Sequence, residues 1–206
     1  MSKEVFIVSG ARTPMGGLMG SLSGATAVEL GTVAIKAALE RSGVSADAIE
    51  EVIMGCVLPA GLKQGPARQA AIMAGIPKST AAVTVNKLCG SAMQTTIYGH
   101  DQIKAGTSDI VLCGGMESMS NAPHVLPKAR QGVGTGNAEI CDHMFLDGLQ
   151  DAYEGRLMGT FAQATASEAG LTREAMDAFA IESLNRAKTA LEDGSLDAEI
   201  VPVTIK

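Results

Sequence analysis

Over roughly the first 115 residues, short apolar runs with strand character alternate with longer stretches whose apolar positions recur at helical spacing. Residues 5–8 read as a buried strand, and the glycine-rich stretch from Gly10 to Gly24 reads as a loop. Ala27–Ser42 reads as a helix, with Val28, Leu30, Val33, Ile35, Ala38 and Leu39 as its apolar positions. Residues 51–57 form the next strand. Residues 66–74 form a short helix with Pro66 in its first turn, where the missing N–H costs nothing. A strand at 82–85 leads to a helix over Ser91–Ala105, with Met93, Ile97 and Ile103 on its apolar side. Gly106 stands just past that helix, where a C-terminal glycine belongs, and a strand at 109–113 follows. Strands joined through helices imply a mainly parallel sheet covered by helices on both faces, an α/β fold.

From Gly114 the pattern changes. Gly114, Gly115, Gly132, Gly134 and Gly136, with Pro123 and Pro127, mark a long loop region, and loops of that size usually carry function or belong to an inserted subdomain. Short helices are expected at 141–149 and at about 159–169. The clearest helix runs from Thr172, a candidate cap, to Glu192, with Ala178, Phe179, Ile181, Leu184, Ala187 and Leu191 along one face. Residues 199–206 are strand-like, and a β-prone segment at the last residue predicts a domain that continues beyond it.

Composition narrows the function classes. Aromatic residues make up only 3% and Trp is absent, whereas Gly (24) and Met (11) are plentiful, so the core must pack with small and flexible side chains. A net charge of −6 and the lack of a basic cluster argue against nucleic acid as a partner. Small acidic ligands stay open, since helix N-termini and a few cations suffice for them. No stretch approaches membrane-spanning length, so no membrane partner is expected. Cys56, Cys89, Cys113 and Cys141 show neither a CxxC pair nor metal-ligand spacing and read as reduced thiols of a cytoplasmic protein.

Cys89 carries the candidate chemistry. It lies in Asn86-Lys87-Leu88-Cys89-Gly90-Ser91, between a strand and a helix. At the start of a helix, unpaired N–H groups favour an anion, which is one way a protein produces a usable thiolate nucleophile. Gly90, Ser91 and Ala92 are small enough to let another group approach the sulfur. Free cysteine is also among the most buried residue types and is commonly inert packing, so the residues alone leave both readings open.

Taken together, the motifs resemble the N-terminal half of a thiolase, most like the acetyl-CoA acetyltransferase group. The resemblance rests on Val8-Ser9-Gly10-Ala11-Arg12-Thr13-Pro14, Val52-Ile53-Met54-Gly55-Cys56-Val57, Asn86-Lys87-Leu88-Cys89-Gly90-Ser91, Gly114-Gly115-Met116-Glu117-Ser118-Met119-Ser120 and Asp147-Gly148-Leu149. Asp177-Ala178-Phe179-Ala180 and the stretch from Asp197 to Val203 also fit. Each piece is weak alone; their order and spacing give the signal. The resemblance implies a layered thiolase-like fold, with an N-terminal α/β domain over residues 1–120. Residues 121–206 would be part of a coenzyme-covering loop domain, including a tetramerisation loop around 122–140. It implies that Cys89 accepts an acyl group from a coenzyme A thioester, with its own N–H in the oxyanion hole. Leu149, Leu157, Met158 and Ser118 would lie at the coenzyme or acyl site. No metal or bound cofactor is implied; coenzyme A thioesters would be substrates. Partners would be acyl-CoA and either a second copy, as dimer or tetramer, or a C-terminal half polypeptide.

Two departures from the family pattern stand out. Leu157-Met158-Gly159 stands where short-chain members often carry His-Met-Gly, and Gly159-Thr160-Phe161-Ala162-Gln163-Ala164 differs from the usual Thr-Ala-Glu-Asn pattern, with Phe161 either narrowing the pocket or simply packing. Family members are also about twice as long by resemblance, and the motifs that supply the activating histidine and a second cysteine are absent here. His100, His124 and His143 do not match the catalytic position and are expected to be surface or core residues, and Cys56, Cys113 and Cys141 are expected to be structural. A ketosynthase-type enzyme, a non-catalytic acyl-CoA-binding or assembly module, and an inert fragment with an exposed apolar face remain as rivals.

Overall fold

A computed structural model describes residues 3–205 of the chain. Its centre is a three-stranded parallel sheet in the order β2-β1-β3, with β1 at Glu51–Gly55, β2 at Ala81–Val85 and β3 at Val111–Gly115. The register sets Gly55 opposite Val85 on one side and Gly115 on the other, so the three strands end level. Helices α1 (Ala27–Ser42) and α2 (Pro66–Met73) cover one face. Helix α3 (Ser91–Ala105) covers the other. The expected parallel α/β architecture is therefore present.

Alternation along β1 divides the core. Val52 and Met54 pack with Val28 and Ile35 of α1, Ala67, Ala70 and Ala71 of α2, and Met116 after β3. Ile53 and Gly55 point to α3. Local signals explain the helix ends. Thr26 and Glu29 form a reciprocal capping box at the start of α1, and Gly43 closes that helix in the left-handed conformation. Gly106 does the same for α3, as the sequence predicts, and Pro66 occupies the first turn of α2.

The side of α3 turned to the sheet is built of small residues, and its apolar side faces outward. Ser91, Thr95 and Gly99 are its buried residues, while Met93 and Ile97 are exposed. Small residues face the sheet because the helix lies too close for larger ones. A Cβ on Gly55 would stand 2.7 Å from the Ser91 Cβ, and one on Gly115 would stand 2.7 Å from the Ala92 Cβ. Thr95 reinforces the contact by donating from its hydroxyl to the Gly114 carbonyl at 3.0 Å.

Two strand expectations also fail. Residues 5–8 form no strand, and Phe6, Ile7 and Val8 are exposed, because among the described residues no strand lies beside them. The run at 199–205 forms only an isolated bridge, Arg12 with Ile200, and Lys206 lies outside the described residues. Arg41 fixes that crossing by donating to the Gly10, Glu199 and Ile200 carbonyls, beside an Arg12–Glu199 ion pair.

Beyond β3, β4 (His124–Val125) pairs antiparallel with β5 (Cys141–Asp142), and the helix expected over 141–149 starts after β5, at His143, and runs on as a π-helical turn at Phe145–Leu149. Helices α4 (Met158–Glu168) and α5 (Arg173–Glu192) follow, with Thr172 capping α5 as predicted. The apolar positions Phe179, Ile181, Leu184 and Leu191 of α5 are exposed.

The close approach of α3 can be tested by adding one carbon. Gly55→Ala is expected to lower the unfolding free energy by about 1–3 kcal/mol, because the new methyl meets backbone of the α3 first turn. Gly24→Ala, where a Cβ meets nothing, should change it by less than about 0.5 kcal/mol. Equal urea-denaturation midpoints for the two variants would contradict the packing argument.

Candidate active site at the strand ends

All three strands deliver their carboxyl ends to one crevice, the usual place for a site in an open parallel sheet. There a cavity of about 390 Å³ is lined by Cys56, Val57 and Leu58 after β1, Leu88 and Cys89 after β2, and Met116, Glu117 and Met119 after β3. Ser91 and Ala92 of α3 contribute, and Met144, Gly148 and Leu149 form the wall supplied by the π-helical turn.

The turn presenting Cys89 is built by its neighbours. Asn86 accepts the Leu88 N–H on its side-chain oxygen at 2.9 Å and donates from its amide nitrogen to the Val57 carbonyl at 3.4 Å. Ser91 closes the turn: its hydroxyl oxygen accepts the Lys87 N–H at 2.8 Å and its proton goes to the Leu88 carbonyl at 2.6 Å. Leu88 is thereby held at φ +50°, an uncommon conformation for a side chain of that size. Cys89 follows it, exposed, two residues before α3 begins. The Asn-x-x-Cys-Gly-Ser pattern is thus a turn whose polar side chains satisfy its backbone and leave Cys89 exposed at the cavity.

Glu117 ties the crevice together. Its carboxylate accepts the Val57 N–H at 2.7 Å and the Leu58 N–H at 3.1 Å, so the end of β3 holds the segment leaving β1. Charge-assisted bonds of this kind are stronger than neutral ones. The Cys56 thiol, fully buried, donates to the same carboxylate at 3.5 Å. Burial first, and then the negative charge of Glu117, push the Cys56 thiol up from about 9 to about 12. Burial likewise pushes Cys113, behind α3, up to about 11. Sequence reasoning quoted Glu117 within a motif without assigning it a role. The available signal was one acidic residue among small and apolar ones directly after a strand, a carboxylate that must find donors nearby.

Of the residues singled out from the sequence, the cavity brings together Cys89 and Leu149. Ser118 stands outside its lining: the hydroxyl donates to the Ala25 carbonyl at 3.0 Å and accepts the Asn121 amide at 2.8 Å. Leu157 and Met158 lie partly exposed at the start of α4; Leu157 bridges to Gln150, next to Leu149, but neither lines the cavity. Phe161 packs beneath the Arg156 guanidinium, 4.4 Å from the ring centre. His100 and His124 are exposed, whereas His143 is buried beneath the cavity wall.

A second cavity of about 400 Å³ lies between α3 and β2, lined by Ile53, Val83, Tyr98 and Gln102 among others. It holds no cysteine, whereas the cavity at the strand ends holds both Cys56 and Cys89. Among the described residues, no group of three or more His, Cys, Asp or Glu side chains could hold a metal ion, and no helix is long and apolar enough to cross a membrane.

Known proteins share this sequence and fold. A family model described as the thiolase N-terminal domain matches residues 5–206. Acetyl-CoA acetyltransferase of Cupriavidus necator is 52% identical over 98% of this chain and 51% of its own length. The Saccharomyces cerevisiae enzyme of the same name is 49% identical over 100% of this chain and 52% of its own. The structure of Acat5 thiolase from Ascaris suum in complex with coenzyme A superposes with a TM-score of 0.95 at 42% identity, covering 98% of this chain and 53% of that one. The chain thus spans about half the length of the curated relatives it matches.

The unequal thiols give a direct test. At pH 8 in the native state, iodoacetamide is expected to modify Cys89 and to leave Cys56 and Cys113 unmodified, since both stay protonated until the pH nears their raised values. Peptide mass mapping reads the result, and modification of Cys56 as fast as Cys89 would contradict the site described.

Proposed function

The chain belongs to the thiolase family, and from that premise we propose that it carries the acyl-accepting part of an acyl-CoA C-acyltransferase. The observation that supports this most is the exposed Cys89 thiol at the mouth of a cavity large enough for part of a small-molecule thioester. In this reading the Cys89 thiolate attacks the thioester carbonyl of an acyl-CoA. The bond from that carbon to the coenzyme sulfur breaks, coenzyme A leaves, and the acyl group stays on Cys89 as a thioester. A base then takes the α-proton of a second acetyl-CoA. The resulting enolate attacks acyl-Cys89, forming a carbon–carbon bond and releasing the Cys89 thiolate. Run backwards, the sequence is thiolysis of a 3-ketoacyl-CoA.

The cavity itself offers no suitable base. Cys56 holds its proton to about pH 12, and the Glu117 carboxylate is engaged by two backbone N–H groups. The base is therefore assigned to a partner of this cavity, either a C-terminal half, on the same or a separate polypeptide, or a second copy of the chain. Such a partner would also cover the exposed apolar residues of α3 and α5. Residues 1–120 would act as the layered catalytic unit and residues 121–206 as the part that covers the coenzyme, with Leu149 against it and Ser118, Leu157 and Met158 completing the coenzyme site when it is occupied. A cytosolic setting is proposed from the Gibberella zeae relative, whose name places it there.

Because this cavity offers no base of its own, a second reading is a module that binds coenzyme A without turnover. Intact mass spectrometry with acetyl-CoA separates the two. One added acetyl group, absent in Cys89→Ala, is expected. Coenzyme binding without an adduct would select the second reading, and neither binding nor adduct would remove both.

A further inference from the structure

His143 is the one buried histidine of the described residues, and it makes three directional contacts that converge on the cavity wall. Its backbone N–H donates to the Pro123 carbonyl at 3.1 Å, fixing the start of the turn to the β4 segment. The Ala60 N–H points at Nε2 from 3.4 Å. Because an amide N–H can only donate, Nε2 must be the unprotonated, accepting nitrogen. The ring proton then sits on Nδ1, where it meets an Asp147 carboxylate oxygen at 2.6 Å. The imidazole is thus oriented by two partners of opposite character, one on each nitrogen.

These partners lie on the two segments that form one side of the cavity. Ala60 follows Leu58 on the segment leaving β1. Asp147 lies within the π-helical turn, which closes through the Gln150 N–H to the Phe145 carbonyl at 2.9 Å. Turns of this type often mark functional positions, because the extra residue redirects side chains. Gly148 follows Asp147, and a Cβ there would stand 3.3 Å from Leu58, so the two segments touch directly. Met144, Gly148, Leu149 and Leu58 all line the cavity. His143 itself does not.

We infer that His143 is a positioning residue for the thioester cavity: neutral and protonated on Nδ1, it clamps the Phe145–Leu149 turn to the segment at Ala60 and so sets where Leu149 stands relative to Cys89. The inference rests on reading this cavity as the thioester site, but the clamp can be measured without that reading. Loss of the ring leaves the Ala60 N–H without its partner and opens a void under the turn. The wall then moves while the Cys89 turn, held by Asn86 and Ser91, does not.

Side-chain geometry supplies the test. Glutamine places an oxygen near the position of Nε2 and can accept the Ala60 N–H, whereas asparagine can keep only the contact to Asp147. In hydrogen exchange of the 206-residue chain, His143→Ala and His143→Asn should lose protection at Ala60 and across residues 148–150, and His143→Gln should keep it. Cys89 should react with iodoacetamide within about twofold of wild type in all three variants, while acetyl transfer from acetyl-CoA falls on the order of tenfold in His143→Ala and recovers in His143→Gln. Unchanged exchange in both His143→Ala and His143→Asn, or failure of His143→Gln to restore it, overturns the clamp. Equal slowing of iodoacetamide and acetyl-CoA overturns its confinement to the wall. If the wild-type chain takes no acetyl group, the proposed function fails, and the exchange pattern still decides the clamp.

Discussion

How near the first turn of α3 can come to the ends of β1 and β3 determines most of what the crevice is. Gly55 and Gly115 stand level on neighbouring strands, and Ser91 and Ala92 rest on them with no room for another carbon. That contact places the beginning of α3 directly over the strand ends instead of a side-chain layer above them. The turn before α3 therefore overhangs the crevice, and Cys89 comes with it. Had either glycine carried a side chain, the helix would lift and the thiol would move away from Glu117, Met116 and Leu149. Interior packing transmits such displacements because it has little free volume to absorb them.

Around this fixed point the crevice is held by polar ties added to its apolar packing. Asn86 links the Cys89 turn to Val57, Glu117 links β3 to Val57 and Leu58, and His143 links Ala60 to the turn at Asp147. All three ties reach the segment that leaves β1. Backbone in such a segment has lost its sheet partners but is still partly buried, so its N–H and C=O groups must be satisfied by side chains. The residues that shape the site are therefore the ones that complete the hydrogen bonding of β1 beyond its last rung.

The parts of this organisation that were legible in the sequence depended on local signals. The strands and helices between Ala27 and Gly115 could be placed because apolar spacing, Pro66 and Gly106 act within one element. Cys89 was legible because its neighbours define a turn and a helix start. The small residues that α3 turns to the sheet were not legible from its apolar spacing, because glycines on the neighbouring strands β1 and β3 select Ser91, Thr95 and Gly99 there. Residues 5–8 have the composition of a buried strand, but a strand needs a neighbour, which no local pattern supplies. Glu117 was given no role, and His143 no more than a surface or core place, for a related reason. Their partners lie about 60 and 83 residues away in sequence, at Val57, Leu58 and Ala60.

One cavity thus holds two thiols in opposed settings, and the contrast argues for their separate roles. Cys56 is enclosed, faces a carboxylate, and keeps its proton to about pH 12 because its anion would be both desolvated and repelled. Cys89 stands exposed at the tip of a turn next to a helix start. The same Glu117 that secures the backbone beneath the crevice also keeps Cys56 as a neutral hydrogen-bond donor. A nucleophile needs a thiolate and an open approach, and a wall residue needs neither. Burial first and Glu117 second therefore keep Cys56 a neutral hydrogen-bond donor, which leaves Cys89 as the thiol proposed to react.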